Sequence, residues 1–397
     1  MGARVDWLTL GLGLLPFWSA LALALWAGGM VALWVRRGGL LLRDRDTWLG
    51  LLLVVGLGVS TWQSPTPGEA LLGLGNVLPF LAFFLAVRGE LSPLRMRRLL
   101  AVMGSTAVVV TGIGLAQALF PHPWTVSLLG VEINWHPRIP GRIDSVFSDA
   151  NVIASYCVMM FWVQLGLAGT APAKSWRRWA WGAAAGLTLL ALVLTRSLNG
   201  LAVMWGMGLA LTVAFRRYGL SVFLLLLGVA VVGAGWDWPG WRAVVPEVLW
   251  GRIPKYITGQ AEDLRTVQWR IAWQGFWQRP CWGWGLRSFP NLYHRATGSW
   301  VGHPHNLWVM LLVETGVWTT GLLTYLVGRV IVGAWQTWQQ DRQPWYGGMG
   351  LAFIGVTLFH MLDVTLFDGR VNGLAWLLLA GLAGGTGTRR RLSGGRC

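Results

Sequence analysis

Residues 174–217 read KSWRRWAWGAAAGLTLLALVLTRSLNGLAVMWGMGLALTVAFRR, and this segment decides the fold. Two apolar stretches, 179–195 and 199–215, flank Thr195-Arg196-Ser197, with Lys174, Arg177 and Arg178 before them and Arg216 and Arg217 after. Each stretch approaches the roughly 20 apolar residues that a helix needs to cross a bilayer. Short loops rich in Lys and Arg stay on the cytoplasmic side. The segment therefore reads as a helical hairpin that leaves the cytoplasm, turns outside and returns. Carried outward, the same reading marks eleven apolar stretches, at about 7–35, 47–63, 69–87, 99–120, 150–170, 179–195, 199–215, 219–236, 305–334, 346–364 and 371–386. Alternate loops carry the basic residues: Arg36, Arg37, Arg43 and Arg45; Arg88, Arg95, Arg97 and Arg98; Lys174, Arg177 and Arg178; Arg216 and Arg217; Arg342; and Arg389 to Arg391. The chain is thus expected to be an all-α polytopic, multi-pass membrane protein. Residues 1–236 would hold eight spans with a short outer loop at about 121–149, residues 237–304 a large periplasmic loop, and 305–397 the C-terminal spans with a basic cytoplasmic tail. The first stretch is expected to be a retained segment, either one span or a re-entrant pair divided by Pro16.

Composition agrees. Of 397 residues 54% are hydrophobic and 12% charged, where soluble proteins carry about 25% charged residues, which excludes a soluble enzyme. The 29 Trp suit the boundary between hydrocarbon and water. Lys+Arg 32 against Asp+Glu 16 gives +16, nearly all of it arginine. The bilayer, and not a nucleic acid, is the partner this balance implies. Cys157, Cys281 and Cys397 fall in a membrane helix, outside and at the cytoplasmic end, so neither an internal disulfide nor a spaced-cysteine metal site is expected. Arg138, Arg142, Arg196, Arg242, Arg252, Arg265, Arg270, Arg279, Arg287, Arg295 and Arg370, with Lys255, lie outside against the positive-inside trend. Two readings stand: arginine costs little in solvated loops, or planar guanidinium groups bind a pyrophosphate at the membrane surface.

Within the large loop, Asp263 to Gln278 reads as a helix stopped by Pro280 and the glycines of Cys281-Trp-Gly-Trp-Gly285. Trp269, Trp273 and Trp277 recur every four residues beside an apolar stripe of Leu264, Val267 and Ile271, as in a helix lying along the membrane surface. Thr266, Arg270 and Gln274 form a third, polar stripe; it either faces water or serves a ligand. At His303-Pro-His-Asn306 the loop turns into an apolar helix. Pro304 suits a first helical turn, which places His305 at or near a helix N-terminus. There the dipole disfavours imidazolium and attracts an anion. A neutral imidazole beside an anion site suits transfer onto a hydroxyl with a phosphate leaving group. The plainer reading makes His303 and His305 capping or interfacial residues.

These residues resemble a known family. His305-Asn306, nine residues, Gly316 and Val-Trp-Thr319 are similar to the H-N-x9-G-x-x-[G/T] signature of the O-antigen ligase and polymerase superfamily. Arg270 with Trp277, Arg279-Pro-Cys-Trp-Gly-Trp-Gly285 and Phe289 resembles its run of Arg, Pro, Gly-x-Gly and Phe before that histidine. Gly141-Arg-Ile-Asp-Ser-Val-Phe-Ser-Asp-Ala-Asn151 resembles its earlier motif, with Ala150 where the family has Pro and Val146 where it has Gly. Arg196-Ser197 reverses the family's Ser-Arg pair, and Arg196 is assigned no role.

The resemblance spans about 120 to 390 and implies a metal-independent glycosyltransferase, a GT-C-like bundle with amphipathic helices in its periplasmic loop, needing no cofactor. The donor implied is an undecaprenyl pyrophosphate-linked glycan, and the acceptor lipid A-core or another glycan. Carried over by motif, His305 is the candidate base, Arg142 and Arg270 candidate pyrophosphate ligands, and Asn151 and Asn306 orienting or capping residues; Arg265 is added from proximity. Glu314, 2.5 turns beyond His305, is expected to serve packing or arginine pairing. The segment Asp363-Val-Thr-Leu-Phe-Asp-Gly-Arg370 is expected to solvate a turn sooner than to add a charge to the site. Cyanobacterial relatives described as inorganic carbon transporters supply the alternative, a transporter of bicarbonate or another anion. That reading calls for polar residues at the bilayer midplane in interrupted, repeated helices, and the sequence shows no internal repeat.

Overall fold

Proline and glycine decide where the apolar stretches break. The computed structural model describes residues 6–42, 44–120, 125–128, 131–134, 138–251, 253 and 264–393. Arg43, Arg252, Lys255, Asp263 and Cys397, named above, lie outside them. The first stretch divides at the turn around Pro16 into α1 (Trp7–Leu14) and α2 (Ser19–Leu41). The two run antiparallel, with Gly11 against Trp26 and Gly29 against Trp7. With 8 residues, α1 is about 12 Å long and too short to cross a bilayer. The first stretch is therefore a broken pair.

After α3 (Arg45–Trp62), the 69–87 stretch also divides, into α4 (Pro67–Leu74) and α5 (Leu78–Val87). Pro79 stands in the first turn of α5, where its missing N–H costs nothing. Ser92 caps α6 (Pro93–Leu119) by accepting from the Arg95 N–H. The short outer loop holds an antiparallel hairpin, β1 (Thr125–Leu128) and β2 (Val131–Asn134), with Thr125 opposite Asn134. Asp149, Ser175 and Ser197 cap α7 (Ala150–Thr170), α8 (Trp176–Leu194) and α9 (Leu198–Ala214), and α10 (Tyr218–Gly235) follows. The large loop contains α11 (Leu264–Gln278) and α12 (Phe289–Thr297); α13 (Leu307–Asp341), α14 (Pro344–Phe359) and α15 (Gly369–Ser393) complete the chain.

All eleven expected stretches coincide with helices. By length and composition alone six candidate spans emerge: α2, α4 with α5, α6, α7, α10 and α13; α9 and α14 are shorter apolar helices. The core is built around α7, which packs on α6, α8, α9 and α14. Its closest approach is to α14, where a Cβ on Gly166 would stand 2.9 Å from the Gly348 Cα. Small residues let two helices approach this closely where apolar burial against lipid gives no advantage.

The ends of the bundle differ chemically. At one end the start of α7 meets the loop after α14 through Asn151 and Asp363. At the other, the end of α7 meets Pro344 through Gly169, and ion pairs gather there: Arg37 with Glu90, Arg88 with Asp44 and Asp46, Arg329 with Asp46, and Arg95 with Asp6. Leu307 and Arg329 lie about 33 Å apart along α13, close to the ~30 Å of a hydrocarbon core.

One joint ties the large loop to the bundle. At Gly316 the backbone of α13 leaves the helical region, with φ 72° and ψ 177°. The Pro280–Gly285 turn fills the break: Trp284 N–H donates to Val313 O (3.0 Å), Gly285 N–H to Glu314 O (2.8 Å) and Val317 N–H to Pro280 O (2.8 Å). Ser60 Oγ donates to Glu314 O as well, at 2.8 Å. A Cβ on Gly316 would collide with the Cys281 carbonyl, and one on Gly283, itself at φ +70°, with the Glu314 carbonyl. These motif glycines are thus required by backbone contact. Gly298 also has φ +70° but meets nothing within 4 Å, so Gly298→Ala carries only the left-handed penalty of about 1–2 kcal/mol. Gly283→Ala adds a backbone clash and is expected to lower the melting temperature in detergent well beyond Gly298→Ala; equal shifts would contradict the joint.

Candidate functional site

The polar end of the bundle is organised around a buried carboxylate. Asp363, 5% exposed, lies in the loop between α14 and α15. Its Oδ1 faces His305 Nδ1 at 2.8 Å and accepts from the Val364 N–H at 2.8 Å, while its Oδ2 accepts from Asn151 Nδ2 at 2.8 Å. Asn151, in the first turn of α7, in turn accepts on Oδ1 from Arg142 Nη2 (3.0 Å) and Ser197 Oγ (2.9 Å). Arg142, 6% exposed, also donates from Nε to Thr195 O at 2.7 Å. A single relay thus joins His305, Asp363, Asn151 and Arg142 across three segments distant in sequence. Burial alone would raise the Asp363 pKa, but the His305 hydrogen bond and charge, reinforced by His303 and the Val364 N–H, hold it below the ordinary carboxylate value.

Local structure sets the histidine. Asn306 is the N-cap of α13, its Oδ1 accepting from Trp308 and Val309 N–H at 3.0 and 3.1 Å, and its Nδ2 donates to Met361 O at 3.0 Å. The helix therefore starts at Leu307, and Pro304 lies before it, not in its first turn as expected. Capping explains the difference, because an asparagine in extended conformation closes the helix two residues after the proline. His305 adopts φ 51°, a left-handed conformation uncommon for a side chain of this size. Its ring meets that of His303 edge-on, with centroids 4.5 Å apart, and His303 stacks on Phe367. The ligand atoms of His303, His305 and Asp363 lie within 4.8 Å of one another, so these three residues are the group in the site that could hold a cation.

Arg265 and Arg270 separate. Five residues on a helix turn about 140°, so the two occupy different faces of α11. Arg265 reaches Asn199 Oδ1 at 3.4 Å, and Trp269, nearly in line with it, donates its indole N–H to Pro304 O at 2.8 Å. That face meets the site. Arg270 is exposed with Trp273 and Trp277 on the outer side. Of the two, the residue added from proximity lies nearer the relay, and among the described residues no hydrogen bond or ion pair joins Arg270 to it.

The loop Asp363–Arg370 does not merely solvate a turn. Asp363 enters the site, while Arg370 pairs with Asp368 at 2.5 Å, donates to Val146 O at 2.7 Å and lies over the Phe147 ring. The expectation failed because Asp363 finds its partners 58 and 212 residues away, beyond the reach of local pattern. Glu314, for which packing or arginine pairing was expected, is buried and accepts from the Phe289 N–H at the start of α12 (3.2 Å). Arg196, given no role above, sets its guanidinium over Gly141, next to Arg142, with Nη1 3.5 Å from where a Cβ would stand.

A helical membrane protein with a half-buried imidazole, a buried carboxylate and a buried guanidinium assembled at one end defines the class. Residues 183–326 match the family model described as O-antigen ligase, which supports the resemblance to the O-antigen ligase and polymerase superfamily. The match runs from within α8 into α13 and includes Arg265, Arg270, His305 and Gly316; Arg142, Asn151 and Asp363 lie outside it. No curated protein matches the sequence.

Acid should loosen this site. Burial first, then the neighbouring His305, lowers the His303 pKa to about 4, and burial lowers that of His360 to about 4. Between about 6.5 and 4 the unfolded chain binds these protons and the folded chain does not, so stability falls with pH across that window. Asp363, depressed, adds a loss only below the ordinary carboxylate range. Melting temperatures from pH 7 to 4 are expected to fall, and His303→Gln to remove part of that slope; an unchanged slope would contradict the assignment.

Proposed function

We propose that the protein transfers a glycan from undecaprenyl pyrophosphate to a hydroxyl of lipid A-core or of another glycan, at the periplasmic face of a bacterial inner membrane. The O-antigen ligase domain supports glycan ligation or polymerisation in general. The observation that carries the finer reading is the contact of His305 Nδ1 with the Asp363 carboxylate. A carboxylate on Nδ1 favours the tautomer with its proton there, leaving the Nε2 lone pair to act as base and stabilising the imidazolium that forms.

The acceptor hydroxyl attacks the anomeric carbon, the bond from that carbon to the pyrophosphate oxygen breaks, and His305 Nε2 takes the hydroxyl proton. Undecaprenyl pyrophosphate leaves with the bonding electron pair. Arg265, on the face of α11 that meets the site, is the nearer cation for the departing charge, and Arg270 serves the donor farther out. Arg142, buried behind Asn151, holds the relay and adds positive potential. Asn306 acts as the cap that aims His305.

The transport reading has one observation in its favour, the interrupted helices at α4–α5 and at Gly316. The Gly316 break, however, is filled by the chain's own Pro280–Gly285 turn, and the titratable cluster lies at the end of the bundle, so transfer is the better fit.

In a reconstituted assay with an undecaprenyl pyrophosphate-linked glycan, His305→Ala is expected to lower turnover by about 10²–10⁴-fold. Asp363→Asn, of the same shape, should give a loss of similar size, and Arg265→Ala should raise the KM for the donor. Full transfer by His305→Ala would overturn the mechanism. Labelled bicarbonate uptake into vesicles holding only this protein, lost with the same substitutions, would establish transport instead.

A further inference from the structure

At the ion-paired end of the bundle, opposite the site, α6 and α8 border a groove of about 1030 Å³ floored by the end of α7. Along α6 its wall is Leu94, Arg97, Arg98, Ala101, Ser105 and Val108, spaced by one, three or four residues and therefore on one helix face. Three cations stand at the mouth: Arg177 in the first turn of α8, where the helix dipole also presents its positive end, and Arg97 and Arg98 in the second turn of α6. Among the described residues, none of the three has a carboxylate within ion-pair distance. Below them Ala180, Ala184 and Leu187 of α8 line the groove, leaving it apolar and open to the side.

The dimensions match one lipid leaflet. From Arg98 to Val108 the groove descends about 15 Å, half of the ~30 Å hydrocarbon thickness. Trp176 and Trp179, 73% and 74% exposed, mark the headgroup level at its mouth, where indole rings settle. Uncompensated arginines above an apolar slot one leaflet deep complement a phosphate carrying an acyl chain. We propose that this groove binds an anionic phospholipid of the cytoplasmic leaflet, its phosphate on Arg97, Arg98 and Arg177 and one chain between α6 and α8. The proposal rests on the positive-inside orientation and is independent of the transfer chemistry.

Native mass spectrometry of the full-length protein in detergent tests it, titrating phosphatidylglycerol against phosphatidylethanolamine of the same chains. Wild type is expected to retain the anionic lipid preferentially. Each arginine contributes about fivefold at an anionic headgroup, so R97Q/R98Q/R177Q should weaken phosphatidylglycerol binding about a hundredfold; Lys174, Arg95 and Arg178 remain to hold the orientation. Ala180→Trp fills the slot without touching charge and should weaken both lipids. A wild type without headgroup preference, a triple variant that binds phosphatidylglycerol as wild type does, or Ala180→Trp with both affinities unchanged would each overturn the proposal.

Discussion

The three backbone hydrogen bonds that close the break in α13 are the constraint on which the rest depends. A helix interrupted at membrane depth leaves amide and carbonyl groups that lipid cannot satisfy, at a cost of several kcal/mol each. Here the Pro280–Gly285 turn satisfies them. The same turn joins α11 to α12, so closing the break also fixes the large loop on the bundle. Arg279 strengthens the joint by donating to Gln63 O at 2.8 Å and stacking on Trp284. With α11 held, the Trp269 indole reaches the Pro304 carbonyl and Arg265 faces the histidines. No residue of the joint touches the site, yet the site's geometry follows from it.

The relay obeys the rule for buried polar groups, that each must find partners. Asp363 is nearly inaccessible, and an isolated carboxylate there would protonate. Two side chains and its own following amide keep it ionised, which is the state in which it can orient an imidazole. Asn151 contributes by being bifunctional: its amide donates to the carboxylate while its carbonyl accepts from Arg142 and Ser197. An aspartate at that position would set two carboxylates face to face. The residue type is therefore dictated by the relay, independently of any capping role.

Sequence made the helices legible because apolar length alone marks them, and it made the Pro16 division legible because proline announces its own effect. The break at Gly316 was not legible: one glycine among 54 carries no sign that another backbone segment will lie against it. His305 stood out through its place between a proline and a capping asparagine. Asp363 did not, since Asp368 and Arg370 beside it suggested a self-contained turn, and that pair does form while Asp363 turns inward. The face of α11 that is buried, Gln268, Ala272 and Phe276, is none of the three stripes marked in the sequence, because periodicity cannot say which face meets the bundle. That is why Arg265 and Arg270 exchange rank.

The charge excess gains meaning by subtraction. At the ion-paired end Arg37, Arg88, Arg95 and Arg329 are matched by Asp6, Asp44, Asp46 and Glu90; these clamp helices together. At the other end Arg242 pairs with Asp237, Arg287 with Glu69 and Arg370 with Asp368. Arginine at these positions offsets local carboxylates and exerts little field at a distance. Binding potential must therefore come from cations that the chain's own acids do not match, among them Arg265 on α11 near His303 and His305, and Arg97, Arg98 and Arg177 near the starts of α6 and α8. A chain with so few acidic residues need not neutralise every arginine. Where it leaves one unmatched beside an apolar surface, the bilayer or a lipid-borne phosphate is the complementary partner.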